Sequence, residues 1–372
     1  MSAALIWGRL RSLLSFFQTL IGRGGIVKML LSGLAISLIE LGGLALVFPF
    51  LKLATDADSF DRLAKWASDT ILSGIVEQHH RAVLLSGIMI AMIYIFRGWL
   101  SARLVRYQSS VAARINSLTS NSIISDALGS RYQLFLEHSP VKIAGVSYSN
   151  TTHAALLFQS MLSGFNEAVL LLIVVTSMVL ANPFAFLLFA LVSTVLIFGF
   201  FRPLSHRVAR IGQRSQEIDL SRHRFVFAMA NAIRDIKIMG LEKSFSHRNR
   251  DLAYRHANLA ADYTSIAAVQ RIAVEIVLVC SIIVAAVWYS LDRSDLNQSG
   301  PLLATLGLIA MRSAPALSRL AGAYNGFRYS LPFVESLLTL RRELAQFPQQ
   351  RIEQAADFPG EYRAEGLCFS YG

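Results

Sequence analysis

The chain has 372 residues, 54% of them hydrophobic and only 16% charged, with a mean hydropathy of +0.48 and a formal net charge of +11. This balance excludes a disordered chain and an ordinary cytosolic enzyme, and two cysteines, Cys280 and Cys368, are too few for a disulfide scaffold. It describes a polytopic membrane protein, in which basic residues raise a question of topology before one of nucleic acid.

The first 28 residues interleave Leu5, Ile6, Trp7, Leu10, Leu13, Phe16 and Phe17 with Arg9, Arg11, Arg23 and Lys28, and include Gly22-Arg23-Gly24-Gly25. That pattern predicts an interfacial elbow helix followed by a hinge. A cleaved signal peptide fits less well, because Arg9 and Arg11 interrupt the apolar run and no small-x-small site precedes the first span. A transmembrane helix needs roughly 20 mostly apolar residues to cross about 30 Å of hydrocarbon. Six stretches qualify: 29–51, 82–102, 154–181, 183–201, 272–291 and 302–320. An even count places both termini on one side of the bilayer.

Charge decides which side. The 202–271 connection carries thirteen Lys/Arg and 103–153 carries five, whereas 53–80 has Arg62 and Lys65 against five acids and 292–300 has Arg293 alone. The basic side is cytoplasmic. Both termini are therefore expected inside, the excess charge serving topology and attraction to anionic lipid; the expected location, which charge does not decide, is a bacterial inner membrane. No basic stretch comes with the aromatic spacing of single-strand binders, so nucleic acid is not an expected partner.

The two long connections read as helical arms rather than loops. Leu104, Val111, Ile115, Leu118, Ile123, Ile124, Ala127 and Leu128 recur at helical spacing, predicting that span two continues on the order of 40 Å beyond the membrane before Gly129 and Ser139-Pro140 break it. The 202–271 segment repeats the plan with a break at Gly240. Ordering so many residues needs something at the tips. Tip one, 132–146, presents Tyr132, Phe135 and Glu137; tip two, 231–245, presents Arg234, Asp235, Lys237 and Glu242. Both are candidate docking surfaces, the alternative being solvated amphipathic helices.

Ionisable side chains inside spans are functional candidates by default. Glu40, Glu167 and Glu275 are read as interhelical ion-pair partners or substrate contacts, and Arg97 as a snorkelling residue. Arg312 and Arg319, seven apart, project on nearly one face of span six and suit bidentate capture of a phosphate; their alternative role is pairing with Glu167 and Glu275. Pro315, Gly322, Gly326 and Pro332 predict a relaxed helix nearby. Gly42-Gly43 suits close helix packing. His79-His80 lacks a third ligand, and Ser163, His153 and Glu167 form no hydrolase signature, so neither a metal site nor a catalytic residue is expected.

Six spans, a short-long-short-long-short loop rhythm, the elbow and the two long arms resemble the transmembrane domain of ABC exporters. RDIKIMGLEKSF in tip two is similar to that family's second coupling helix, and EYRAEGLCFSYG at the terminus looks like the first strand of its nucleotide-binding domain. The stretch IAMRSAPALSRLAGAYNGFRYSLPFVESL is similar, more weakly, to the lipid-linked oligosaccharide flippase branch. The resemblance implies an all-α membrane fold in a domain-swapped dimer, with an elbow over 1–28, a six-span domain over 29–340, a linker over 341–360 and a first strand over 361–372. It implies that both tips couple to an ATPase domain, that Tyr371 stacks on adenine, and that ATP with Mg2+ is the cofactor of the complete protein. It also directs the Arg312/Arg319 face to a central pathway. The 372 residues contain no G-x-x-x-x-G-K-[ST] loop, signature or catalytic acid pair, so this chain is not expected to hydrolyse ATP alone, and the sequence is expected to be cut within a longer exporter.

The expected function is thus the membrane-spanning domain of an ATP-driven exporter or flippase moving an amphipathic, anionic lipid or glycolipid. One alternative is export of a peptide or hydrophobic compound. Another, of a different class, is a membrane sensor or scaffold whose arms dock a partner.

Overall fold

The computed structural model of the chain describes residues 3–55, 79–137, 139–181, 187, 191, 194, 199, 201–291, 296–347, 366 and 368, and these are helical almost throughout, with no strand among them. The chain order is α1 (Ala3–Thr55), α2 (His79–Leu128), α3 (Gln133–Glu137), α4 (Pro140–Gly145), a π-helical turn (Val146–Asn150), α5 (Thr151–Ala181), α6 (Arg202–Asn231), α7 (Ile233–Met239), α8 (Glu242–Leu291) and α9 (Leu296–Ala345). Among the described residues, Arg11–Glu40, Leu84–Leu128 and Pro140–Thr176 are long and apolar enough to cross a membrane. The expected spans 272–291 and 302–320 lie within α8 and α9. Span 183–201 falls almost wholly outside the described residues, as do Tyr371 and most of 348–372.

The elbow bends where its first glycine allows. Gly22 has φ 72° and ψ 162°, a conformation open in practice to glycine alone. The preceding helix does more than lie in an interface: Leu13, Phe16 and Phe17 enter the main apolar core with Phe158 of α5 and with Val334, Leu337 and Leu340 of α9. The Phe17 and Phe158 rings stand 5.1 Å apart, and Arg341 covers Phe16 at 5.9 Å. Each large side chain so buried contributes about 1.5–3 kcal/mol.

The arms form as the apolar spacing predicts. α2 runs without interruption to Leu128, about 40 Å past residue 102. Its inner face, Ile115, Ile123 and Ala127, meets Leu134, Ile143 and Val146 from tip one. Tip one splits into two short helices, the second opened by Pro140, whose missing N–H costs nothing at a helix start. Tip two breaks at Ala232 as well as at the expected Gly240. Gly240 takes φ 64°, and the Leu241 N–H bonds the Ile236 carbonyl at 3.0 Å, a glycine-closed helix end.

α9 stays helical across Pro315, Gly322, Gly326 and Pro332, and it buries Ala316, Leu317, Ala321, Ala323, Phe333 and Val334. Among the described residues nothing stands within 4 Å of a Cβ built at Gly42. The close approaches are elsewhere. A Cβ at Gly33 would collide with Asn166 Oδ1, at Gly212 with the Tyr329 backbone, and at Gly326 with Ser160 Oγ. These glycines set α1 on α5, α6 on α9, and α9 on α5.

Candidate functional site

Where α1, α2, α5 and α9 converge they enclose a cavity of about 490 Å³. Polar residues recur on the α5 wall as Gln159, Ser160, Ser163, Asn166 and Glu167, a spacing of one, four, seven and eight that keeps them on one helical face. Opposite them α1 presents Ser37 and Glu40, α2 presents Gln108, and α9 presents Arg319. The collision that Gly33 avoids is what lets α1 close on α5 here.

The polar groups bond across helices. Ser37 Oγ donates to the Asn166 carbonyl at 2.9 Å, and Gln108 Nε2 donates to Ser32 Oγ at 3.1 Å. Arg319 forks onto Glu167, Nε to Oε1 at 2.5 Å and Nη2 to Oε2 at 3.2 Å. Glu40 Oε2 stands 3.8 Å from the same Nη2. One guanidinium thus ties α9 to α5 and reaches α1 in a setting where an unpaired charge would cost several kcal/mol. The Glu167 side chain is 12% exposed and Arg319 45%, so the pair stands at the cavity wall with the cation toward the opening.

The expected pathway residues therefore separate. Arg319, Glu167 and Glu40 come together. Glu275, on α8, is exposed and does not line the cavity. Arg312 lies two turns before Arg319 in α9, with its side chain outside what is described. Sequence reading missed Gln108, Gln159, Ser160 and Asn166. Their signal was available as a helical period of uncharged polar residues within apolar stretches.

At tip one, Tyr132 is 75% exposed while Phe135 packs partly against the core. Lys142 pairs with Glu343 of α9 at 2.8 Å; the Glu137 side chain lies outside the described set. At tip two, Ile236 is buried, whereas Ile233, Ile238, Met239 and Leu241 are exposed beside the exposed Arg234 and Asp235. Lys237 pairs with Glu242 at 3.2 Å. The Glu242 backbone N–H at the start of α8, and then the Lys237 ammonium, hold the Glu242 carboxyl below the ordinary glutamate range.

No family model matches the chain. Among solved structures it is similar to a bacterial Atm1-family ABC exporter with ATP bound, with a TM-score of 0.61 and 14% identity over 96% of this chain. The chain spans 56% of the length of that one. At this identity the likeness is one of fold: the chain is an integral membrane protein whose described residues, helical almost throughout, take the transmembrane fold of ABC exporters.

Proposed function

We propose that this chain is the membrane-spanning part of an ATP-driven exporter or flippase. It crosses the bilayer six times with both termini cytoplasmic, in a bacterial inner membrane, and works as a dimer by alternating access. The observation that carries the reading is a polar, ion-paired cavity held between long apolar helices whose arms end in exposed apolar tips, in a chain with the exporter fold. A nucleotide-binding domain, in the same polypeptide or in a separate subunit, holds ATP with Mg2+ and supplies the hydrolysis; the present residues supply the pathway and the docking tips. In this reading Ile233, Ile238 and Met239 of tip two and Tyr132 of tip one enter grooves of that domain. Nucleotide binding biases the helices through its differential affinity for their two arrangements.

The substrate is amphipathic, a lipid or glycolipid whose head group enters the cavity while its chains stay in lipid. An anionic head would engage Arg312 directly and Arg319 by exchange with Glu167. Export of a peptide or a hydrophobic compound is the second reading, favoured by the uncharged polar lining. The test is reconstitution of the complete protein with its ATPase domain and a screen of lipids and glycolipids for stimulated hydrolysis and flipping. Arg312→Ala and Arg319→Ala are expected to lose transport of an anionic lipid while keeping basal hydrolysis. Unchanged flipping in both removes the anionic head group, and absence of any ATP-driven transport leaves the sensor or scaffold.

A further inference from the structure

The π-helical turn that follows tip one, Val146–Asn150, has bonds leaving it toward three other helices. A π turn inserts an extra residue into the helical repeat and re-aims the side chains around it. The Ser147 carbonyl accepts from Ser120 Oγ of α2 at 3.1 Å. Ser149 Oγ donates to Asp219 Oδ2 of α6. Asn150 Nδ2 donates to the Phe333 carbonyl of α9 at 2.9 Å. One residue earlier, Gly145 leaves room for the His223 side chain, which a Cβ would touch at 3.6 Å, and His223 Nε2 stands 3.7 Å from the same Asp219 oxygen. Ser147 and Asn150 are almost fully buried, so the Asn150 bond is shielded from water, while the Ser149–Asp219 bond is partly buried.

α6 leads into tip two with only Ala232 between Asn231 and α7. Asp219 lies about 18 Å up that rod from its end, close enough for a stiff helix to carry a fixed point to the tip. Phe333 lies about 21 Å along α9 from Arg319. The turn is therefore a node between the segment leaving tip one, the rod bearing tip two, and the helix bearing the cavity arginine. We propose that Asp219, held by Ser149 of the π turn and flanked by His223, is a positioning residue that makes the two tips move as one body and passes their displacement to α9. This rests on the exporter reading for its consequence, though not for its geometry.

The experiment uses the complete exporter with its ATPase domain in nanodiscs, as Ser149→Ala, Asp219→Ala and the conservative Asp219→Asn, whose amide oxygen still accepts from Ser149. In the nucleotide-free protein, amide hydrogen exchange over 231–245 is expected to rise in Ser149→Ala and Asp219→Ala and to stay at the wild-type level in Asp219→Asn. With ATP, kcat and KM for hydrolysis are expected to stay near wild type while transport per ATP falls about fivefold or more in the two alanine variants and returns in the asparagine variant. Wild-type exchange at tip two in both alanine variants overturns the proposal. So does a parallel fall of hydrolysis, transport and Tm that asparagine fails to rescue, which marks a merely structural bond. A wild-type protein that transports nothing removes the exporter reading, and the exchange experiment still decides whether Asp219 joins the tips.

Discussion

Arg319 of α9 forks onto Glu167 of α5 at 2.5 and 3.2 Å, joining two helices through residues 152 apart in sequence. The link replaces an open guanidinium face with an internally compensated pair. An anion that bound Arg319 at this wall would compete with the link between α5 and α9.

The first prediction concerns that pair. Breaking the pair leaves each group with a poorer set of partners, and Arg319→Gln or Glu167→Gln is expected to cost about 1–3 kcal/mol, toward the low end because Arg319 is 45% exposed and keeps Glu40 at 3.8 Å. The double variant should lie closer to wild type than either single variant. Melting followed by tryptophan fluorescence in nanodiscs reads the cycle, and additive losses would mean the two groups stabilise the fold independently.

The second concerns helix approach. Gly212→Ala drives a Cβ into the Tyr329 backbone, which has no rotamer to escape by, and is expected to cost about 1–3 kcal/mol and to loosen α6 from α9. Gly98→Ala meets nothing within 4 Å and should leave Tm unchanged or raised. Equal behaviour of the two would show that the α6–α9 crossing tolerates a wider spacing.

The elbow supplies a third. Gly22→Ala is strained at φ 72° by about 1–3 kcal/mol. Phe17→Ala, at 1% exposure, loses about 3–5 kcal/mol of packing against Phe158 and its neighbours. Limited proteolysis near residues 22–25 should accelerate in both. Unchanged cleavage in Phe17→Ala would indicate that the helix is held by lipid rather than by the core.

A fourth is a pH dependence at tip two. The Glu242 carboxyl is held below its ordinary value, so its contribution is complete above the unfolded glutamate range and fades as pH falls through the lowered value. The difference in amide exchange over 241–245 between wild type and Glu242→Gln should therefore be present at neutral pH and close as the pH falls through that lowered value. A difference that persists in acid would point to a cause other than this charge.

Much of the architecture was legible because its determinants are local. Apolar length marks membrane-spanning stretches, and the helical period of 104–128 carries α2 to the length observed. Gly22, Gly129 and Gly240 punctuate the chain where helices bend or end. The close helix approaches were not legible: Gly33, Gly212 and Gly326, where a Cβ would collide with another helix, carry no mark in the local sequence that distinguishes them from the glycines that meet open space.

The cavity divides likewise. That Glu40, Glu167 and Arg319 need partners follows from the cost of a charge in hydrocarbon and could be read from the sequence alone. Pairing of Arg319 with Glu167 stood there only as one of two roles, and the choice between them is made by the packing of α5 against α9, which brings these two groups together while Glu275 stays exposed on α8. Sequence determined the material: an all-helical membrane chain with long arms, two tips and ionisable groups in its spans. Tertiary structure decided the pairings, from the fork of Arg319 to the bond between Ser149 and Asp219, because contacts between residues far apart in the chain depend on helix rotation and crossing, which no local pattern encodes.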